Sequence, residues 1–384
     1  MGEASPSSWH LLTGEYPPQP GGVSDYTALV AQALAREDQE VHVWAPGVAS
    51  SRVEHGVTVH HLPGLFTPVG LTHLTRELNR HRAPRRLLLQ YVPHAFGMKA
   101  MNVPFCAWFA SRHRDERWVF FHEIVYPWSA SAPVRHQVLA GVTRVMARLV
   151  ASAADRVFVS IPSWAEHLPS RLRHRAEWCP VPSTLPTEVP ATALSAVRAA
   201  LGVGTWLGHF GTYGPVIREP LTEALVPLLR ADARRKALLL GRGSQRFSRE
   251  LGARHPELST RLLSRDDLPH FDLAAHLAAM DILIQPYPDG VSTRRTTAMA
   301  GLALGLPIVT QTGHLTEQIW PETRAVALAE DRSTGALVAA AERLLAHPEE
   351  RSALGGRAAR LYRERFALER TLETLLRPSP GASL

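Results

Sequence analysis

The sequence predicts an α/β protein built of two doubly wound domains facing a cleft. Three observations lead there. Short runs rich in Val, Leu, Ile and Phe alternate with helical stretches along most of the chain, which is the pattern of parallel strands covered by helices on both faces. The alternation stops in a proline-rich stretch near residue 180 and then restarts. The length, 384 residues, exceeds what one ordinary core holds and suits two domains.

The elements follow in order. "WHLL" at 9–12 reads as a strand, and the Gly/Pro-rich "TGEYPPQPGG" as the loop after it. In "VSDYTALVAQALAR" the apolar residues Val23, Tyr26, Leu29, Val30, Ala33 and Leu34 recur at helical spacing. Strands are expected at 40–46, 57–62, 86–92, 117–124 and 156–161, with a long helix over 135–152. Residues 1–182 form the first domain, and the proline-rich segment 183–204, ending in a short helical run, is the expected linker. The second domain, 205–360, has strands at 205–211, 236–241, 281–288 and 306–312. Helices are expected at 219–230, 245–254, 271–280 and 293–304, and the chain stays helical over 334–376. Residues 361–384 comprise the final helix and a tail, "RPSPGASL", expected to fray.

Composition excludes several classes. Hydrophobic residues are 45% and charged residues 20%, as in soluble globular proteins. The net charge of +7 invites a nucleic-acid partner. Only Lys99 and Lys236 are lysines, however, so 40 of 42 basic residues are arginine, a skew that reflects codon bias. Charge is also spread: residues 1–182 hold 18 basic and 14 acidic side chains, the remainder 24 and 21. No nucleic-acid partner is expected. Cys106 and Cys179 make no metal or redox spacing, and two buried thiols in a reducing compartment are expected. No signal peptide and no membrane span are expected. No His/Asp/Glu cluster has metal spacing, so no metal site and no cofactor are predicted. G-x-S-x-G and Walker patterns are missing, which argues against a serine hydrolase or a P-loop NTPase.

Four strand-to-helix loops can carry chemistry. In the first, Gly14, Gly21 and Gly22 precede a helix, whose N-terminus favours anions; a tight turn is the other reading. In the second, "HFGTYGPVIREP", Gly211 and Gly214 admit a ligand and Arg218 lies just before the expected helix, where it can fork onto phosphate or simply face water. The third, "LLLGRGSQR", places Gly241 and Gly243 after a buried strand. In the fourth, "PDGVSTRRTT", Asp289, Gly290, Val291 and Ser292 end a strand and start a helix, so backbone N–H groups at Val291 and Ser292 can grip a diphosphate. Arg294 and Arg295 then fall in the helix's first turn, where a cation opposes the helix dipole unless an anion relieves it. Two strand ends carry histidine: His122 with Glu123, and Gln90, Tyr91 and His94.

Taken together these segments resemble retaining glycosyltransferases of the GT-B fold, in particular glycosyltransferase family 4, nearly end to end. "GEYPPQPGGVSDYTALVAQAL" resembles the family's first glycine loop and helix, and "VFFHE" its histidine-bearing strand end. "HFGTYGPVIREPLTEAL", "LLLGRGS" and "PDGVSTRRTTAMAGLALGLPIVTQTG" resemble its donor-domain loops. The last helix resembles the one that crosses back to the first domain. The resemblance implies two Rossmann-like domains, a nucleoside diphosphate sugar donor in the second and a carbohydrate or lipid-linked acceptor in the first. It implies transfer to a hydroxyl with retention and without metal, in the cytoplasm. His122, Asp289 and Arg218 would be the catalytic set. Gly22, Gly211, Gly241, Gly243, Gly290, Val291, Ser292, Arg294, Arg295 and Thr297 would line the donor, and Glu15, Asp25, Tyr91 and His94 the acceptor side.

Two departures stand out. The family pattern has two glutamates separated by seven residues; here that spacing gives Asp289 and Thr297. A threonine cannot clamp two ribose hydroxyls as a carboxylate does, a loss of about 1.5–3 kcal/mol, or tenfold to a hundredfold in donor affinity. The lysine usual soon after the phosphate arginine is also missing; Lys236 lies too far along, and Arg294 or Arg295 could replace its charge. A non-catalytic sugar-nucleotide or carbohydrate-binding protein, or a sugar-nucleotide epimerase, is the alternative on the same fold. Finally, "LTHLTRELNRHRAPRR" (71–86) sets five arginines beside Leu71, Leu74 and Leu78. It reads either as a surface for anionic lipid or as a solvated helix with one core face.

Overall fold

A computed structural model describes residues 8–377; the expected tail "RPSPGASL" falls, beyond Arg377, outside them. The chain forms two α/β units, one of residues up to Pro180 together with those from Thr371, the other Val181–Arg370.

The first unit has strands β1 (Trp9–Leu12), β2 (Val41–Pro46), β3 (Ser50–Glu54), β4 (Val57–Leu62), β5 (Arg86–Tyr91), β6 (Glu116–Phe121), β7 (Arg156–Val159) and β8 (Ala176–Trp178). Their order in the sheet is β3-β4-β2-β1-β5-β6-β7-β8, parallel throughout except for the antiparallel edge pair β3–β4. Helices α1 (Gly22–Arg36), α2 (Pro68–Leu78), α3 (Val103–Ala110), α4 (Val134–Ala153) and α5 (Ser170–Arg173) intervene. The core joins both kinds of element: Trp44 and Phe121 from strands pack with Leu74 of α2, Phe105 of α3 and Met146 of α4. Fully burying each such side chain contributes about 1.5–3 kcal/mol.

The second unit has α6 (Ala191–Leu201), β9 (Thr205–Phe210), α7 (Pro215–Ala231), β10 (Arg235–Leu240), α8 (Ser244–Arg254), β11 (Leu262–Arg265), α9 (His270–Ala278), β12 (Ile282–Gln285), α10 (Thr296–Ala303), β13 (Ile308–Thr310), α11 (Ile319–Thr323) and β14 (Ala327–Leu328). Then come α12 (Thr334–Ala346) and α13 (Pro348–Leu361), followed by α14 (Leu368–Leu376), whose residues from Thr371 onward belong to the first unit. Its sheet, β11-β10-β9-β12-β13-β14, is wholly parallel. The order reverses between β9 and β12. In such a sheet the carboxyl ends flanking the reversal open a crevice for ligand.

Four strands were not expected: β3, β8, β11 and β14. All are short edge or near-edge strands with little apolar periodicity; β3 ("SSRVE") is largely exposed. The segment expected as a linker is packed into the second unit. Ser183 is buried and its N–H donates to the Tyr362 hydroxyl, while the Val181 N–H donates to the Thr293 carbonyl. The arginine-rich segment 71–86 takes the core-facing form: Leu71, Leu74 and Leu78 are buried, and Arg85 and Arg86 pair with Asp115 and Glu116. Those leucines are not available to lipid. Among the described residues no helix is long and apolar enough to cross a membrane. Cys106 and Cys179 are free and buried, as expected.

Candidate functional site

In the second unit the ends of β9 and β12 are tied to each other. His209 Nδ1 lies 2.9 Å from the Ile284 carbonyl, and the Gln285 amide donates to the Phe210 carbonyl at 2.8 Å. Burial holds His209 down to about pKa 4, so the ring is neutral. A neutral ring that donates from Nδ1 keeps Nε2 as an acceptor. That atom, with Gln285 Oε1, Ser292 Oγ and Arg295 Nε, is buried without a hydrogen-bond partner among the described residues. Buried polar groups are normally satisfied. Two of them, on His209 and Gln285, stand at the switch point and mark a place for a polar ligand.

Glycines form the floor. Gly241 has φ 99°, and a Cβ there would lie 2.3 Å from the Gly211 carbonyl oxygen, so two loops approach as closely as backbone can. A Cβ on Gly211 would lie 3.5 Å from His209 Nε2 and 4.0 Å from Thr297 Cγ2. Gly211, Gly241 and Thr297 are thus brought together with His209, which the sequence did not single out. Gly243 caps α8, but the helix N-terminus already has an anion: Asp266 accepts from the Gln245 N–H at 2.8 Å and from the Ser244 hydroxyl at 2.7 Å.

The fourth loop differs from expectation in a consistent way. β12 stops at Gln285 and α10 starts at Thr296, so Arg294 and Arg295 precede the helix instead of occupying its first turn. Both turn to Asp289, with guanidinium nitrogens 3.1 and 3.0 Å from its Oδ2. The dipole conflict expected there does not arise. Arg295 also covers the Tyr287 ring at 4.9 Å, and the Tyr287 hydroxyl lies 2.7 Å from Thr297 Oγ1. The Val291 N–H, expected to face a diphosphate, donates to the Gln311 carbonyl at 3.2 Å. Ser292 is fully buried, with its hydroxyl still without a partner. Gly290 has φ 87°, and a Cβ there would collide with Gly313 N at 2.3 Å.

Glu317, which sequence reading missed, sets this loop. Its Oε1 accepts from the Thr293 N–H at 2.8 Å and from the Thr293 hydroxyl at 2.5 Å, and its Oε2 from the Trp320 indole at 2.7 Å. Burial raises its pKa, against which these donors work. Lying 24 residues from Thr293, it leaves no local signal. Arg218 stands apart. It lies inside α7, which starts at Pro215, and pairs with Glu250 of α8.

In the first unit, His122 follows β6 and is 7% exposed. Its Nε2 lies 2.7 Å from Gln90 Oε1 of β5, and its ring stacks on Phe120 and meets Tyr26 edge-on. Burial holds it down to about pKa 3, hence neutral. Tyr91, expected on the acceptor side, is fully buried between Phe96 and Phe121 and belongs to the core. The glycine loop before α1 carries its own anion. Glu15 Oε1 accepts from the Ser24 N–H at 3.1 Å, and a Cβ on Gly21 would lie 2.3 Å from that carboxylate. Gly21 therefore admits a side-chain carboxylate at the helix N-terminus. Asp25 sits in the first turn of α1. His94 lies 3.4 Å from Glu123; the hydrogen bond to that carboxylate raises its pKa, with Glu15 adding to the effect.

Solved structures share this architecture. The chain resembles sucrose-phosphate synthase from Thermosynechococcus elongatus, with 17% identity, a TM-score of 0.72, and coverage of 96% of this chain and 97% of that one. Anabaena HepE in complex with UDP and glucose follows at 14% identity and TM-score 0.69, covering 96% and 98%. WaaG, a glycosyltransferase involved in lipopolysaccharide biosynthesis, is 14% identical with TM-score 0.66, covering 96% and 100%. The fold is the two-domain α/β architecture of GT-B glycosyltransferases. Residues 219–377 further match the family model described as glycosyl transferase-like. None of the curated proteins matches the chain.

Proposed function

We propose that this protein is a glycosyltransferase that moves a sugar from a nucleoside diphosphate sugar to a hydroxyl of a carbohydrate or lipid-linked acceptor, with retention and without a metal in the transfer step. The observation that carries the reading is the pair of unsatisfied buried polar atoms, His209 Nε2 and Gln285 Oε1, at the switch point of the second unit's sheet, with Ser292 Oγ likewise unsatisfied in the loop after β12. Gln285 and Ser292 fall within the segment matching the glycosyl transferase-like model, and HepE is known in complexes with UDP and with UDP-glucose. The donor's diphosphate would meet Arg294 and Arg295, which with Asp289 sum to one net positive charge, and electrostatic stabilisation of the leaving diphosphate is the main contribution asked of them. His122, neutral at a strand's carboxyl end, is the candidate for contact with the transferred sugar. Arg218 can serve phosphate only by leaving Glu250.

A second reading, a non-catalytic sugar-nucleotide-binding protein, is favoured by one observation: a hydroxyl pair, Thr297 with Tyr287, stands where the resemblance leads one to expect a carboxylate. A thermal-shift series with nucleoside diphosphates and their sugar conjugates, followed by turnover of whichever conjugate binds, separates the two. A ligand that binds only the folded chain raises Tm. Stabilisation with release of free nucleotide that depends on His122 supports the transferase; stabilisation without turnover supports the binding protein; no stabilisation at millimolar ligand overturns both.

A further inference from the structure

The amino ends of β1 and β2 carry a group of histidines that the proposed transfer does not use. His10 stands on β1, His42 on β2, His60 on β4, and His81 in the turn after α2. His10 stacks on His42 (4.9 Å between centroids, 11° between planes), and His60 stacks on Trp44 (4.0 Å, 13°). Glu40 joins them: its Oε1 lies 2.9 Å from His42 Nε2 and 3.8 Å from His81 Nδ1.

We propose that Glu40, His42 and His81 form a binding site for a zinc-class divalent transition metal ion. The three ligand atoms already lie within 4.8 Å of one another. Tetrahedral zinc, with bonds of about 2.0–2.2 Å, sets its ligand atoms roughly 3.3–3.5 Å apart. The closest pair must open by a few tenths of an ångström and the widest close by about one. The side chains of Glu40 and His81 are 58% and 23% exposed, so they can make that adjustment, and they leave an entry path and a fourth position for water. His42, at 8%, is the fixed ligand. Two imidazoles and a carboxylate suit zinc-class ions better than magnesium or calcium, which prefer an all-oxygen shell.

The surroundings fit a ligand that exchanges a proton for a metal. His42 Nδ1 lies 3.1 Å from His60 Nε2, and His60 Nδ1 lies 3.1 Å from Ser51 Oγ. Without metal, His42 Nε2–H donates to Glu40, and the line runs inward from Ser51 through His60 to His42 Nδ1. With metal on Nε2, that proton leaves to solvent while another enters from solvent at Ser51, and the line reverses: His42 Nδ1–H, taken from His60, donates to His60 Nε2, whose Nδ1–H, taken from Ser51, donates to the serine hydroxyl. Both directions are complete because a hydroxyl can donate or accept. A partner on the far nitrogen is what holds metal-ligating histidines in orientation. The nearby Arg85 guanidinium pairs with Asp115 at 2.6 Å, a carboxylate it shares with Arg112. The site is at the opposite end of the strands from the loops expected to take substrate. Its role is to clasp the turn after α2 to β2. Short-range spacing hides it, because His81 lies 39 residues beyond His42; strand alternation only places Glu40 and His42 on one face.

The test uses the full chain stripped of metal. Zinc is titrated in competition with a chromophoric chelator, and cobalt is titrated for its absorption spectrum. The expected result is one zinc per chain, a tetrahedral-type cobalt spectrum, and a Tm raised by zinc but not by magnesium. Glu40→Gln and His81→Ala should each weaken zinc binding at least tenfold and abolish the Tm increase, while His55→Asn, an exposed histidine outside the group, changes neither. Glu40 is exposed and His81 partly exposed, and the metal-free Tm of each variant checks that it folds. Absence of saturable binding below about 0.1 mM zinc, or binding unchanged in both variants, overturns the proposal.

Discussion

The Tyr287 hydroxyl and Thr297 Oγ1 lie 2.7 Å apart, across a position where the resemblance leads one to expect a second carboxylate. The pair is neutral: burial pushes Tyr287 up to about pKa 12. A hydroxyl and a phenol therefore hold each other at the position where the resemblance leads one to expect a charged acceptor.

Replacing Thr297 with valine keeps the shape and removes the hydroxyl. The buried Tyr287 hydroxyl loses its partner, at a cost of about 1–3 kcal/mol, read as a shift of the urea midpoint at unchanged slope. Thr297→Glu supplies the expected carboxylate and should tighten nucleotide-sugar binding about tenfold or more. An unchanged affinity for Thr297→Glu would show that this position does not face the ribose.

Glu317 should matter to stability more than any residue in the loop it holds. Glu317→Ala removes the acceptor for the Thr293 N–H, the Thr293 hydroxyl and the Trp320 indole. The expected loss is about 3 kcal/mol or more, because hydrogen bonds to charged groups are worth about 1.5–3 kcal/mol each. Glu317→Gln keeps part of this network and should fall between wild type and alanine. Equal stability of wild type and Glu317→Ala in denaturant would refute the assignment.

Asp289 gathers Arg294 and Arg295. Asp289→Asn releases them while keeping the shape. Under the proposed function, turnover should fall at least a hundredfold, while affinity for the free nucleoside diphosphate changes less than tenfold or tightens. Parallel losses in binding and turnover would instead give Asp289 a purely organising role.

Acid should destabilise the fold. His10, His122 and His209 are buried and His60 half-buried, with pKa values lowered from 6.5 to about 2, 3, 4 and 4 for His10, His122, His60 and His209. Below pH 6.5 the unfolded chain takes up protons that the folded chain refuses, so stability falls as pH falls, until each folded pKa is reached. Each such histidine adds a slope of about 1.4 kcal/mol per pH unit. Chemical denaturation at pH 7, 6 and 5 measures it; a flat profile would mean that these imidazoles are not buried and neutral.

Much of the fold was legible because buried parallel strands and amphipathic helices carry their period in the sequence. The strands from "WHLL" to "LPIVTQT" are where that period places them, within a few residues. The strand "SSRVE" was not legible: an exposed edge strand is held by main-chain bonds to one neighbour and needs no apolar pattern. The start of α10 was misplaced for a related reason. Nothing near "STRRTT" announces that Glu317 will hold Thr293, or that Arg295 will adopt extended backbone (φ −88°, ψ 95°) just before the helix.

The sequence by itself determined the two α/β units, the glycine loops and the residue types at their strand ends, because these follow from local periodicity and backbone freedom. Only the tertiary structure decided which of those residues are engaged. It placed Glu15 and Asp266 on helix N-termini that looked open to phosphate, paired Arg218 with Glu250, folded Tyr91 into the core, and drew Glu40, His42 and His81 together. Those outcomes depend on which distant side chains meet when strands pair and helices pack, and such meetings have no local period to announce them.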